Sequence, residues 1–190
     1  MALAATTSPL IQQYTLDEFW ELENPPGGGH YELIAGVLYM VPPPEGPHTT
    51  AVSSLNLLMT THLVAHPELG RLFVPRAAIW TSARTYLEPD LMFVSAERLK
   101  TTDPGRLTTA DLVVEVISPS TAVYDRTTKA DTYAALGVGE LWLIDTKQQT
   151  LEQRILGTGG WDSEMLHAIA DTVHAAHLPG FTCVVRAIFS

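Results

Sequence analysis

A glutamate stands in a run where carboxylates are rare: Glu115, within Leu112-Val113-Val114-Glu115-Val116-Ile117. So apolar a segment reads as a strand buried on both faces. Strand alternation puts Val113, Glu115 and Ile117 on one of those faces. An isolated buried carboxylate is costly or takes up a proton, so Glu115 needs a partner: an arginine, water at a sheet edge, or a metal ion. Asp90 follows Pro89, which lacks an amide proton and favours extended chain before it, and Leu91-Met92-Phe93-Val94 then enter an apolar strand. An acid at the mouth of such a strand is solvated, caps a turn or binds a cation. Lys129 lies four residues after Asp125, so the two can pair across one helical turn in the favourable order, and Tyr133 continues the stripe. Taken singly, Asp90 and Lys129 read as structural. His62 and His66, four apart, and His174 and His177, three apart, form a separate candidate zinc pair each; no glutamate follows His62, so the zinc-protease pattern is absent.

The elements that must position these groups follow from patterning. Residues 1–13 read as a loose arm, and 14–190 as a single domain. Thr15-Leu16-Asp17-Glu18 fits a capping box, opening a helix with Leu16, Phe19, Trp20 and Glu23 at helical spacing that stops at Asn24-Pro25-Pro26. Tyr31–Ile34 and Val37–Val41 read as a hairpin around Ala35-Gly36, and Pro42-Pro43-Pro44 ends it. Val52, Leu55, Met59 and Leu63 predict a helix over about 48–66. Leu72–Trp80 and Tyr86–Val94 read as two paired strands, followed by a polar connection with a short helical stretch. After the strand 111–117, a helix is expected over 125–136 with Gly137 at its end. Strands follow at 140–144 and 151–156, then short strands and loops. Trp142 and Tyr133 read as core, and Trp161 as part of a turn. One mixed α/β domain accounts for the pattern.

Together, the run from Leu112 through Ser118-Pro119-Ser120-Thr121, the spaced Asp125, Lys129 and Tyr133, Gly137-Val138 and Glu140-Leu141-Trp142-Leu143-Ile144-Asp145 resemble the Uma-two-like family of restriction-endonuclease-like proteins, in the PD-(D/E)XK nuclease superfamily. Tyr31-Glu32-Leu33-Ile34 with Gly36, the proline-rich segment before His48, and Pro89-Asp90-Leu91 also match. The resemblance spans roughly residues 14–156. It implies an α/β (α+β) fold with a mixed sheet flanked by helices, here with an added N-terminal helix and β-hairpin. It also implies acids on adjacent strands, matched by Asp90 and Glu115. The superfamily lysine usually stands two residues after the glutamate, where this chain has Ile117; the resemblance moves it to Lys129 on the next helix. Glu32 corresponds to an extra acid near the metal, and His48, Asp125 and Tyr133 to supporting positions. The implied activity is metal-dependent hydrolysis of phosphodiester bonds, with DNA favoured as substrate. Asp90, Glu115 and Glu32 would be the ligands of Mg²⁺ or Mn²⁺, and a homodimer would suit two-strand cleavage. The competing reading is a non-catalytic binding module on the same fold.

Composition limits the substrate. Eleven Lys and Arg face twenty-one Asp and Glu, a net charge of −10, so the broad basic face of a duplex-binding protein is not expected. Clustered acids instead suit divalent cations. Cys183 is the lone cysteine, which rules out an intrachain disulfide and a cysteine zinc site. The start lacks the basic and long apolar segments of a signal peptide, and no run is long enough to span a bilayer, so a cytoplasmic location is expected.

Overall fold

The computed structural model describes residues 12–118 and 121–190. Most of the expected arm, and Pro119-Ser120 of the Ser-Pro-Ser-Thr run, lie outside them. The capping box at Thr15 forms: its hydroxyl accepts the Glu18 amide, and the Glu18 carboxylate accepts the Thr15 amide at 2.7 Å. The helix it opens, α1 (Leu16–Trp20), is shorter than the spacing out to Glu23 implies. Only Phe19 on it is buried.

Strands β1 (His30–Ile34) and β2 (Val37–Val41) form the expected hairpin, in register from His30–Val41 to Ile34–Val37. Its turn needs positive φ at both central residues: Ala35 at 50° and Gly36 at 85°. Helix α2 (Gly46–Ala65) follows, burying Ala51, Leu55, Met59 and Leu63. Of its 20 residues, none is Asp, Glu, Lys or Arg.

The expected pair of long strands is corrected by the structure. Each breaks at a proline and passes from one sheet to another. The first arm splits into β3 (Gly70–Phe73) and β4 (Ile79–Thr81) around Pro75, with Arg76 at φ 77°. The second splits into β5 (Thr85–Leu87) and β6 (Leu91–Ser95) around Pro89-Asp90. Strand β3 pairs with β6, and β4 with β5. A proline cannot donate to a ladder, so it marks the place where pairing changes. The connection after β6 contains the short α3 (Ala96–Leu99).

The main sheet has six strands in the order β10-β9-β8-β7-β6-β3, with β7 (Leu112–Ile117), β8 (Glu140–Asp145), β9 (Thr150–Leu156) and β10 (Trp161–His167). The smaller sheet runs β2-β1-β5-β4, and β11 (Thr172–His174) pairs with β12 (Thr182–Val184). A terminal 3₁₀ turn, Val185–Phe189, packs its Val185 and Ile188 beneath α2. Trp161 starts β10 rather than sitting in a turn, and its indole donates to the Ala130 carbonyl at 3.2 Å.

Every residue of β7 is buried, and its side chains alternate between two cores. Leu112, Val114 and Val116 join the core under α2. Val113 and Ile117 join the other with Met92, Leu141, Ala130 and Tyr133. Glu115 therefore points into the second layer, as alternation expects. In the main sheet only β7 and β8 run parallel, so a crossover must cover that face. It consists of α4 (Ala122–Tyr124), a π turn at Asp125–Lys129 and α5 (Ala130–Ala135). Fold and chain direction thus place Lys129 above Glu115.

The entrance to β7 is locked separately. Asp111 accepts the Ser95 amide at 2.7 Å and Arg98 at 3.0 Å. Burial raises its pKa, but Arg98 and Ser95 outweigh that and hold it below the ordinary carboxylate value. Its stabilising effect is therefore present above the unfolded value of about 3.9 and lost as pH falls through the lower folded value. Asp111→Asn is expected to cost about 2 kcal/mol at neutral pH. Urea unfolding at neutral and strongly acidic pH checks this: the gap between mutant and parent closes on acidification.

Candidate active site

Asp90 stands immediately before β6, and the antiparallel partners Leu91 and Val114 place it beside Glu115. Its Oδ2 accepts the Val116 amide at 2.8 Å, and His48 Nε2 lies 3.1 Å from the same oxygen. Glu115 is held in the same one-sided way. Its Oε1 accepts the Tyr133 hydroxyl at 2.5 Å and faces the Lys129 ammonium at 2.8 Å. Each acid is anchored through one oxygen, and among the described residues nothing donates to the other.

Lys129 is almost fully buried, and its ammonium also lies 3.0 Å from Glu32 Oε1. Its expected partner, Asp125, is displaced in that role by Glu115 and Glu32. Glu32 is completely buried; it further accepts the Glu88 amide at 2.9 Å and the Tyr124 hydroxyl at 3.0 Å. The π turn explains the meeting of Tyr124 and Lys129: five residues apart, they share a side in i→i+5 geometry but not in an α-helix. Periodicity at 3.6 could not find Tyr124. Glu88 was also missed: its amide reaches Glu32, while the residue lines the same cavity as Asp90 and Glu115 and its carboxylate accepts the Tyr86 hydroxyl at 2.8 Å.

The electrostatics follow from crowding. Burial pushes the Glu115 carboxyl well above its ordinary range; Lys129 opposes this, while Asp90, Glu32 and Asp125 reinforce it. Burial likewise raises Asp125, against Lys129 and a Thr121 hydrogen bond. For Lys129, burial disfavours the charge, but Glu115 and Glu32 outweigh it and keep the ammonium protonated. Burial also raises the Tyr133 phenol well above its usual value, so it donates to Glu115 as a neutral hydroxyl.

These groups converge on a cavity of about 290 Å³, lined by Asp90, Glu115, Lys129, Asp125 and His48 together with the loops at Gly28-Gly29 and Pro42–Pro44. Glu32 sits behind this lining. A cation here would meet carboxylate oxygens from Asp90 and Glu115, and would relieve the negative crowding that raises Glu115. No group of three or more His, Cys, Asp or Glu is assembled for a metal among the described residues. Two acids suit a hard ion that retains waters, such as Mg²⁺, better than a closed tetrahedral zinc site. The histidine pairs do not compete: His62 Nε2 lies 3.0 Å from the Pro179 carbonyl, and His177 bonds Glu140 through its backbone.

The Uma2 family model, described as "Putative restriction endonuclease", matches residues 16–186. The chain belongs to this family. The match extends the resemblance beyond residue 156, through β10 and the terminal strand pair of this Uma2 chain. Among solved structures, one described as "a putative nuclease belonging to DUF820", from Anabaena variabilis, shares the fold with a TM-score of 0.74 at 19% identity. The alignment covers 93% of this chain and 97% of the other. A search of curated proteins gives no sequence match. No helix among the described residues is long and apolar enough to cross a membrane.

Removing the buried ammonium should expose the Uma2 chain's crowded acids. Lys129→Met is expected to destabilise the fold by roughly 3–5 kcal/mol at pH 8. Lys129 is what opposes the rise at Glu115, so without it the folded-state pKa of Glu115 rises further, and stability returns as falling pH protonates that carboxylate. Chemical denaturation across pH checks this; a loss independent of pH argues against Lys129 as the neutralising charge.

Proposed function

We propose that this protein is a metal-dependent endonuclease that hydrolyses phosphodiester bonds, with DNA the favoured substrate. The observation that carries the reading is the convergence of Asp90, Glu115 and Lys129 on one cavity, each acid keeping one oxygen to which none of the described residues donates. Family membership supports it.

In this reading Asp90 and Glu115 hold one divalent ion, Mg²⁺ or Mn²⁺. Such an ion, when bound, polarises a phosphoryl oxygen and lowers the pKa of a bound water. Val116 N–H and His48 fix Asp90, and Tyr133 fixes Glu115, so the two carboxylates meet the ion with little reorganisation. Lys129 stays cationic and stabilises charge that develops on the phosphoryl oxygens. We assign Glu32 to holding Lys129 in place rather than to the ion, because its oxygens already serve Lys129, Tyr124 and the Glu88 amide. Asp125 adds negative charge at the cavity wall.

Glu115→Gln and Asp90→Asn are each expected to reduce cleavage at least about a thousandfold, by removing charge that binds the ion, while leaving far-ultraviolet circular dichroism intact. The assay uses plasmid, linear and single-stranded DNA and RNA with Mg²⁺ or Mn²⁺ and an EDTA control. Full activity in either mutant sinks the site. Absence of cutting by the folded parent on every substrate shifts the reading to a binding module on this fold.

Acid should inactivate early. The ion competes with a proton at Glu115, whose raised pKa makes protonation begin above the ordinary carboxylate range. Cleavage at fixed, subsaturating Mg²⁺ is expected to fall as pH falls, and added metal should partly restore it. A flat profile down to the ordinary carboxylate range contradicts the assignment.

A further inference from the structure

A second cavity, of about 330 Å³, adjoins the first and shares Pro44, His48, Pro75 and Asp90 with it. Its remaining wall is unlike the catalytic one. Val52, Val74 and Leu91 supply apolar surface, and one face of α2 adds the uncharged polar groups Thr49, Ser53 and Asn56. No lysine or arginine lines it. Its size is at the lower end for small-ligand pockets, which run to roughly 300–1,000 Å³. It suits an occupant that is compact, uncharged, apolar over its surface and able to hydrogen-bond at its edge. Because Asp90 and His48 belong to both cavities, that occupant must be the immediate neighbour of whatever sits on Asp90 and Glu115.

We propose that this second cavity is a nucleobase subsite, and that the substrate is a single strand whose unpaired base enters it beside the cleaved phosphate. The inference rests on the nuclease reading and specifies its substrate. A base has apolar faces for Val52, Val74 and Pro75 and polar edges for Asn56 and Ser53. Charge points the same way. With a net charge of −10, and Arg76 and Lys129 the only Lys or Arg lining the catalytic cavity, the described site lacks the cations that hold a duplex by its phosphates. Burying the apolar faces of an unpaired base supplies affinity that does not depend on phosphate charge. A base stacked within a duplex cannot reach such a cavity without being extruded.

The test measures fluorescence anisotropy with Glu115→Gln protein, so that no probe is consumed. Three probes are used: a short single-stranded oligodeoxynucleotide, its duplex, and a phosphodiester chain of equal length without bases. Expected is a preference of about tenfold for the single strand over the base-free chain, the scale of burying part of a base's apolar faces against Val52, Val74 and Pro75, with the duplex weaker than the single strand. Adding Ser53→Phe, which fills the cavity, or Asn56→Ala, which removes the polar edge and favours helix, should abolish that preference and leave base-free binding unchanged. Equal binding of the base-free chain, tighter binding of duplex, or a preference untouched by both variants overturns the subsite. The parent protein, assayed with Mg²⁺, separates the two claims. Duplex cleavage without base preference retains the nuclease and removes the subsite. Base-dependent binding lost in the variants, without cleavage of any substrate, retains the subsite and removes the nuclease.

Discussion

One buried ammonium organises the molecule around its chemistry. Lys129 sits between Glu115 on the main sheet and Glu32 on the smaller one, within 3.0 Å of both. Two buried carboxylates left without it would be strongly destabilising. With it, they tie the crossover helix to two sheets at once. Tyr124 and Tyr133 flank the cation and direct their hydroxyls at the same two acids. The cluster is therefore both a structural joint and the back wall of the cavity.

The rest of the fold brings that joint into being. The parallel β7–β8 pair demands a crossover, and the crossover passes over the face where Glu115 points. The π turn then alters the spacing so that Tyr124 and Lys129 act from one side. Asp90 reaches the same place from the opposite flank, because Pro89 ends β5 and frees the chain to enter β6.

The parts legible in the sequence were those governed by local rules. Alternation assigned Glu115 to its face, the capping box at Thr15 marked α1, and the apolar spacing of Leu55, Met59 and Leu63 marked α2. The family resemblance, rather than periodicity, linked Lys129 to Asp90 and Glu115. What stayed hidden depends on contacts distant along the chain. The two long apolar runs looked like a simple strand pair, since nothing within them shows that each serves two sheets. The Asp125–Lys129 spacing suggested a helical ion pair, because sequence alone does not reveal a buried Glu32 able to outbid Asp125. Tyr124 was invisible for the same reason that a π turn is.

The joint between Glu32 and the crossover also sets when the site can exist. Tyr124 and Glu32 meet across 92 positions, so their contact waits for most of the chain. During synthesis, the segment carrying Asp90 and the first hairpin emerges before β7, the crossover and β8. A chain halted at that stage holds acids without their cation or their parallel strand. Domains fold as units once their sequence is available, so the cluster of Glu32, Glu115 and Lys129 assembles only after the ribosome has delivered the whole crossover.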